Sequence, residues 1–273
     1  MKLQHKEKVL DLTQPQIMGI LNLTPDSFSD GGRFNQLDKA LEQVDSMLID
    51  GASIIDIGGE STRPGAPLVS AEEELERVIP VIEKIRQHHD CWLSIDTSKA
   101  VVMTEAVNAG ANLINDVRAL QQPGALHAAV DAKVPVCLMH MQGQPKTMQD
   151  APQYSDVIED VLDFFEHRIN HCVAAGIEYN QIIVDPGFGF GKTMEHNFSL
   201  IKHFKRFEQF GLPLLAGLSR KSMFEHLLGA KVDQRLASSL AGALLCAQQG
   251  ANIIRVHDVK PTADVLAVLK ASL

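Results

Sequence analysis

Short apolar segments alternate with longer amphipathic segments along most of the chain. The short segments carry almost no charge, which is typical of strands buried on both faces of a parallel sheet. The longer segments repeat apolar residues at intervals of three and four, which predicts helices with one buried face. Eight strands are predicted, at residues 17–23, 53–57, 91–95, 111–117, 134–139, 182–184, 213–218 and 251–256.

Helix signals lie between these strands. Ser70 and Glu73 have the spacing of a capping box, and Gly51, Gly110 and Gly176 stand where helices should end. Predicted helical segments with a buried face fall within residues 37–48, 70–85, 98–109, 156–175, 198–207 and 261–269.

Regular alternation of strands and helices indicates a parallel sheet. Eight units in 273 residues fit a closed (β/α)8 TIM barrel, which we expect to be a single domain over residues 1–273. Two strand-like pieces within residues 1–12 predict a β-hairpin that closes the bottom of the barrel. An open, doubly wound sheet is the alternative, but the first strand-to-helix turn lacks the G-x-G-x-x-G pattern of that fold.

Polar residues stand at or just beyond the ends of the apolar strands. They are Asn22, Asp56, Asp96, Asn115, Asp185, Lys221, Arg255 and His257. Any one of them could be a simple cap or turn former. A set of eight is harder to explain in that way, because ionisable groups beside a barrel core are costly unless they are paired or solvated. Barrel closure would gather all eight at one mouth, where barrel enzymes have their active sites.

The residue types at these positions suggest two kinds of ligand. The acceptors Asp96 and Asp185, with the amide of Asn115, suit a planar heterocycle that carries several N–H donors. The cations suit phosphate or pyrophosphate, and Lys221 and Arg255 follow the last two strands, where barrels often bind phosphate. Lys221 could instead be a Schiff-base lysine, and the residues alone do not decide this point.

The spacing and type of the possible ligands limit which metal ions this chain could bind. The histidines lack H-x-H and H-E-x-x-H spacing, which argues against zinc. Asn22 offers a neutral oxygen that could hold Mg²⁺ only together with water and phosphate oxygens.

Bulk properties exclude several other classes of protein. The net charge of −9 and the pI of about 5.6 argue against a nucleic-acid surface. No apolar run has membrane-spanning length, and the start of the chain lacks the apolar region of a signal peptide. The four scattered cysteines form no C-x-x-C pair. We expect a cytoplasmic protein with reduced thiols that binds neither nucleic acid nor membrane.

Seven motifs resemble those of the bacterial dihydropteroate synthases, a family of pterin-binding TIM barrels. They are MGILNLTPDSFSDGG at 18–32, GGESTRPG at 58–65, SIDTS at 94–98, IND at 114–116, DPGFGFGK at 185–192, SRKS at 219–222 and RVHD at 255–258. The resemblance implies a transferase of folate biosynthesis that condenses 6-hydroxymethyl-7,8-dihydropterin pyrophosphate with p-aminobenzoate. It also implies an Mg²⁺ cofactor, inhibition by sulfonamides and a homodimer.

The resemblance also implies a role for each matching residue. The pterin would contact Asp96, Asn115, Asp185, Lys221, Met139, Phe190 and Gly217. Pyrophosphate would contact Asn22, Thr62, Arg63, Arg255 and His257, with Mg²⁺ on Asn22. The p-aminobenzoate would contact Phe28, Thr62, Pro64, Ser219 and Lys221. The catalytic group would comprise Asp96, Lys221, Arg63, Arg255, His257 and Asp30.

We expect a dissociative, SN1-like displacement assisted by Mg²⁺, with no protein nucleophile. The long loops at 24–36 and 58–70 would complete the site, since loops of that length are usually functional. Two alternatives remain open at this point. One is a pterin-binding methyltransferase barrel, which would not need Arg63, Arg255 and His257 for pyrophosphate. The other is a non-catalytic pterin-binding barrel.

Overall fold

An antiparallel hairpin precedes a parallel sheet in the computed structural model, which describes residues 1–23, 33–61, 66–144, 147–149 and 151–272. The hairpin consists of β1 (Lys2–His5) and β2 (Lys8–Asp11). The parallel strands are β3 (Gln16–Asn22), β4 (Ile54–Gly58), β5 (Trp92–Asp96), β6 (Leu113–Asp116), β7 (Val136–Met139), β8 (Ile182–Asp185), β9 (Leu215–Ala216) and β10 (Ile253–Val256).

The eight parallel strands close into a barrel. Their order is β8-β7-β6-β5-β4-β3-β10-β9. A further parallel bridge joins Val184 in β8 to Leu214 beside β9, so the two edges of the sheet meet. The predicted TIM barrel is therefore confirmed.

Helices surround this barrel in the described part of the chain. They are α1 (Arg33–Ile49), α2 (Ala71–His88), α3 (Ala100–Ala109), α4 (Ala125–Ala132), α5 (Val157–Ala175), α6 (Met194–Lys202), α7 (Ser222–Leu228), α8 (Leu236–Gln248) and α9 (Val259–Ala271). The capping box of α2 is confirmed, since Ser70 and Glu73 exchange two hydrogen bonds of 3.1 Å. None of these helices combines the length and apolar character that crossing a bilayer requires.

Several element boundaries differ from the prediction. The helix predicted over 98–109 starts at Ala100, because the Ser98 hydroxyl donates to Asp116 instead of capping it. The segment predicted as one helix over 198–207 divides into α6 and a 3-10 turn, Phe204–Phe210. The predicted strand 213–218 shortens to β9. Helix α4 was not predicted, because its buried face consists of alanines instead of large apolar residues.

The barrel interior changes from apolar to polar along the strands. Alternate residues of a strand face the same side. Accordingly, an apolar residue near the start of a strand is followed two positions later by a polar one, as in Ile54 and Asp56, Trp92 and Ser94, Leu113 and Asn115, Ile183 and Asp185, and Ile253 and Arg255. The five apolar members share one buried cluster with Leu3, Leu10 and Leu12. The hairpin thus closes the bottom as expected, and the polar groups lie toward the carboxyl ends.

Candidate active site at the barrel mouth

Four residues at the carboxyl ends of neighbouring strands are in register. Asn22 pairs with Gly58, Gly58 with Asp96, and Asp96 with Asn115. A β-carbon built on Gly58 would lie 3.8 Å from Asn22 Oδ1 and 3.9 Å from Asp96 Oδ2. Because glycine has no side chain there, Asn22 and Asp96 border a common space at the mouth.

Arg255 on β10 reaches past β3 to the two strands that follow it around the mouth, β4 and β5. Its Nε donates to Asp56 Oδ2 at 2.6 Å, and one Nη donates to Asp96 Oδ2 at 2.7 Å. Asn115 Nδ2 donates to the same oxygen of Asp56 at 3.1 Å. The guanidinium therefore holds β10, β4 and β5 together, and Asp56, whose function the sequence did not indicate, is its fully buried partner.

Burial and charge oppose each other in this cluster. Burial raises the pKa of Asp96, and the Arg255 guanidinium counteracts the rise. Burial also lowers the pKa of Arg255, but the carboxylates of Asp56 and Asp96 outweigh that effect and raise it overall. Arg255 is therefore charged, and removing it would leave carboxylates uncompensated in the barrel.

Asp185 forms the next part of the mouth at the end of β8. Its Oδ1 accepts the Gly187 N–H at 2.8 Å, so this bond fixes one carboxylate oxygen. Met139 is in register beside it on β7 and is buried. Burial raises the pKa of Asp185, whereas the Gly187 N–H and the Lys221 charge lower it.

Lys221 packs against the loop that follows β8. Its Nζ lies 4.1 Å from the centroid of the Phe190 ring, a cation–π geometry. A β-carbon on Gly189, whose φ is +78°, would approach the Lys221 side chain to 3.0 Å. Glycine at this position therefore lets Lys221 lie close to the loop.

His257 and Ser219 meet on the other side of the mouth. The Ser219 oxygen accepts the His257 backbone N–H at 3.2 Å and lies 3.0 Å from His257 Nδ1. Burial lowers the pKa of His257 to about 4, and the nearby Arg255 contributes to the shift. His257 is therefore neutral at pH 7 in this state.

The long loop that begins at Gly58 is fixed at its described base. Lys99 Nζ lies 2.5 Å from Glu60 Oε2 and also pairs with Glu74, which is fully buried in α2. Arg77 donates to the Gly59 carbonyl at 2.7 Å. These contacts attach the first residues of the loop to α2 and to the segment after β5.

His140, which follows β7, leads to a prediction about acid stability. Burial lowers its pKa to about 2, and Lys192 contributes to the shift. In the unfolded chain the imidazole of His140 becomes protonated near pH 6.5, whereas in the folded chain it stays neutral down to about pH 2. Between these two pH values the folded state binds fewer protons than the unfolded state, so the folded state loses stability as the pH falls. At about 1.4 kcal/mol per pH unit, the loss from this group at pH 5 is about 2 kcal/mol.

We expect urea unfolding to show that the wild type loses about 2 kcal/mol more stability between pH 7 and pH 5 than the His140→Asn variant, because asparagine does not titrate. Asparagine keeps a polar atom near the Nδ1 position. An equal pH dependence in both proteins would contradict the prediction.

The structure brings most of the predicted site residues to one mouth. Direct contacts or strand register join Asn22, Asp96, Asn115, Asp185, Met139, Phe190, Ser219, Lys221, Arg255 and His257 into neighbouring groups, and Gly217 lies beside Arg255. Five predicted residues lie outside the described part of the chain: Phe28, Asp30, Thr62, Arg63 and Pro64. Their roles remain predictions.

Sequence reasoning gave no role to two buried residues of this region. Asp56 was recognised as a polar residue in a strand, but its pairing with Arg255 depends on closure across the barrel. Lys192 was recognised only as the last residue of a glycine-rich motif, and it is almost fully buried. The available signal was a lysine directly after the alternating glycines Gly187, Gly189 and Gly191. In the structure all three glycines have positive φ.

The residues at the mouth fit Mg²⁺ in one particular way. In the described residues, no three or more His, Cys, Asp or Glu side chains are arranged to hold a metal. Asn22 Oδ1 and Asp96 Oδ2 nevertheless border the same space above Gly58. This donor set suits an ion that keeps several waters and is bound mainly through substrate phosphates, as Mg²⁺ usually is.

Comparisons with known proteins agree with this arrangement. Residues 18–257 match the family described as pterin binding enzyme. The dihydropteroate synthase of Haemophilus influenzae is 59% identical over 272 residues, covering 100% of this chain and 99% of its own.

Solved structures give the same result. A Yersinia pestis dihydropteroate synthase with a sulfonamide drug complex has a TM-score of 0.95 and 57% identity, covering 100% of this chain and 99% of its own. A Xanthomonas albilineans dihydropteroate synthase in complex with 7,8-dihydropteroate has a TM-score of 0.91 and 46% identity, covering 100% and 98%. The barrel and its mouth are thus those of a pterin-binding enzyme. Within that class, the chain belongs to the dihydropteroate synthase family, and the resemblance noted in its motifs is confirmed.

Proposed function

We propose that this chain condenses 6-hydroxymethyl-7,8-dihydropterin pyrophosphate with p-aminobenzoate to give 7,8-dihydropteroate and pyrophosphate. Its full-length relatives are dihydropteroate synthases, and one of them is solved with 7,8-dihydropteroate. The observation that carries the proposal is the meeting, at one mouth, of an acceptor set with Arg255 and Lys221. The same mouth can therefore bind a flat N–H donor ring and an anion.

The pterin ring would bind between the amide and carboxylate groups. Asp185 would accept ring N–H bonds through the oxygen that Gly187 does not engage. Asn115 and Asp96 would complete the polar edge, and Met139 would supply an apolar wall. The Phe190 ring, with Lys221 above it, would border the pocket on the other side.

The pyrophosphate would occupy the space near Asn22 and the last strand. Arg255 is charged, and its Nη1 takes no part in the bonds to Asp56 and Asp96. His257 would donate through its ring, and bound pyrophosphate would raise its depressed pKa. Thr62 and Arg63 are proposed to join from the neighbouring loop.

The displacement is proposed to be dissociative. The bond between the pterin methylene carbon and the pyrophosphate oxygen breaks first, and its electron pair leaves with pyrophosphate. The electron-rich dihydropterin delocalises the resulting cation, which Asp96 and Asp185 stabilise, while Arg255 offsets charge on the leaving group. The amine of p-aminobenzoate then attacks the methylene carbon and loses a proton, so no protein nucleophile is required. Asp30 is proposed to steady the cation or the amine.

Mg²⁺ is proposed as the cofactor, held by Asn22 together with water and pyrophosphate oxygens. When bound, it supplies a Lewis acid that neutralises charge on the leaving group. Chelation with excess EDTA is expected to reduce turnover about a hundredfold or more, because several kcal/mol of this stabilisation would be lost. Added Mg²⁺ should restore it, and Asn22→Ala should need a higher Mg²⁺ concentration for half-maximal rate. Full activity in EDTA would contradict the proposal.

The p-aminobenzoate is proposed to bind beside Ser219 and Lys221, with Phe28, Thr62 and Pro64 supplied by the loops. Sulfonamides resemble this substrate, and a relative is solved with a sulfonamide drug complex. We therefore propose that sulfonamides compete with p-aminobenzoate here.

The proposed reaction is tested by incubating the purified chain with both substrates and Mg²⁺ and measuring 7,8-dihydropteroate and pyrophosphate. Equal amounts of both products are expected. Methyl transfer from methyltetrahydrofolate to a corrinoid protein, without pyrophosphate release, would favour the methyltransferase alternative. Pterin binding with no turnover would favour the non-catalytic one.

We also propose a cytoplasmic homodimer. Leu227, Leu228 and Leu245 on α7 and α8 are exposed, whereas Leu240 and Leu244 are half-buried and Leu244 packs on the core. An exposed apolar face of this kind suits contact with a second copy. Sedimentation velocity should give twice the monomer mass.

A further inference from the structure

Lys192 lies beneath the loop that carries Phe190 and leads away from Asp185. It is 3% exposed, and its Nζ has four acceptors within 3.3 Å. They are His140 Nδ1 at 2.9 Å, the Gly187 carbonyl at 3.0 Å, the Phe190 carbonyl at 3.1 Å and the His140 carbonyl at 3.3 Å. Among the described residues, no carboxylate is within salt-bridge distance of this lysine.

This pattern differs from that of an ordinary ion pair. An amino group surrounded by carbonyl oxygens and one imidazole connects the surrounding chain segments through several hydrogen bonds at once. Burial lowers the pKa of Lys192 to about 7, so these hydrogen bonds, and not a full charge, are what connect the segments. Two acceptors belong to the residue after β7, and two belong to the loop after β8. Lys192 therefore ties two neighbouring strand ends together directly under the mouth.

The loop depends on such a tie because its backbone is unusual. Gly187, Gly189 and Gly191 all have φ between +62° and +78°, and a β-carbon on Gly187 would lie 1.9 Å from the His140 carbonyl. Glycine alone permits this conformation but does not select it, since glycine has many other conformations available. The two Lys192 contacts to the Gly187 and Phe190 carbonyls fix the first half of the loop, and Asn197 Oδ1 adds a bond by accepting the Gly189 N–H at 2.7 Å.

The loop in turn places two groups of the proposed pterin pocket. The Gly187 N–H holds Asp185 Oδ1, and Phe190 faces Lys221. We propose that Lys192 is a positioning residue for the pterin, acting through the Gly187–Phe190 loop and not through contact with either substrate. This inference rests on the proposed function.

The test compares binding of the pterin and use of p-aminobenzoate. In Lys192→Met, we expect the affinity for 6-hydroxymethylpterin, measured by calorimetry, to fall about tenfold or more, because the buried carbonyls lose their donor and the loop its tie. The KM for the pterin substrate should rise in parallel. The KM for p-aminobenzoate, measured at saturating pterin substrate, should rise clearly less than the KM for the pterin substrate, since the loop borders the proposed p-aminobenzoate site only through Lys221.

Two further variants keep the test valid if Lys192→Met does not fold. His140→Asn retains an acceptor near Nδ1 and should bind the pterin almost as the wild type does, whereas His140→Leu lacks the acceptor and should bind it several-fold more weakly. Lys8→Met is the control: Lys8 donates to the Cys91 carbonyl at 3.0 Å and pairs with Asp90 at the bottom of the barrel, far from the mouth, and its loss should leave pterin affinity unchanged.

Unchanged pterin affinity in folded Lys192→Met, or equal affinity in the two His140 variants, would overturn the inference. So would an equal rise of both KM values. Wild-type protein that neither binds the pterin nor releases pyrophosphate would instead refute the proposed function, so the two failures are distinguishable.

Discussion

Replacing Arg255 with methionine is expected to lower kcat/KM about a thousandfold or more and to destabilise the fold by about 3–5 kcal/mol. The activity is lost because the charge facing the leaving pyrophosphate is gone. The stability is lost because Asp56 is fully buried and Asp96 nearly so, and Arg255 is the cation that neutralises both. Steady-state kinetics and urea unfolding measure the two effects.

A double variant separates the effect of Arg255 on activity from its effect on stability. Adding Asp56→Asn to Arg255→Met removes one uncompensated carboxylate, so part of the stability should return while the activity does not. Arg206→Met is the control, because its pair with Glu159 is about half exposed and worth about 1 kcal/mol or less. Normal kcat/KM in Arg255→Met, or no recovery of stability in the double variant, would contradict this account of Arg255.

Asp185→Asn is expected to weaken binding of the pterin substrate by about 1–3 kcal/mol, the cost of a poorly matched buried hydrogen bond. Asparagine can still accept the Gly187 N–H, but it then directs an NH₂ donor toward the ring N–H groups of the pterin. The effect should appear in the dissociation constant of 6-hydroxymethylpterin and in the KM for its pyrophosphate.

Asp116→Asn provides the matched control for Asp185→Asn. Asp116 is also a buried carboxylate at a strand end, but it binds the Ser98 hydroxyl and the backbone N–H groups of Arg118 and Leu120. Its replacement should lower stability and leave pterin affinity intact. An equal loss of affinity in both variants would mean that Asp185 acts through the fold and does not contact the ligand.

The fold could be predicted from the sequence because its signals are local. Apolar strands such as β4 and β5 are marked by their own residues, and the capping box of α2 by Ser70 and Glu73. Helix α4 was not predicted because its buried residues, Ala125 and Ala129, are alanines, and the helical pattern was recognised from large apolar residues. Strand β9 was predicted too long, since apolar residues such as Leu214 and Leu218 are buried without being part of it.

The sequence predicted which residues belong to the site, but it did not predict which of them contact each other. The residues at the strand ends were visible because each follows an apolar run. That Arg255 pairs with Asp56 and Asp96 depends on the diameter and register of the closed barrel, which no local pattern encodes. Likewise, the buried position of Lys192 follows from the approach of the β8 loop to His140, a contact between residues 52 positions apart.

The most direct test of the central claim is a crystal structure of this protein with dihydropterin pyrophosphate. We predict that the pterin ring lies against Asp185 and Asn115 and that its pyrophosphate reaches toward Asn22 and His257. A ring bound away from Asp185, or a pyrophosphate at another part of the mouth, would contradict the account.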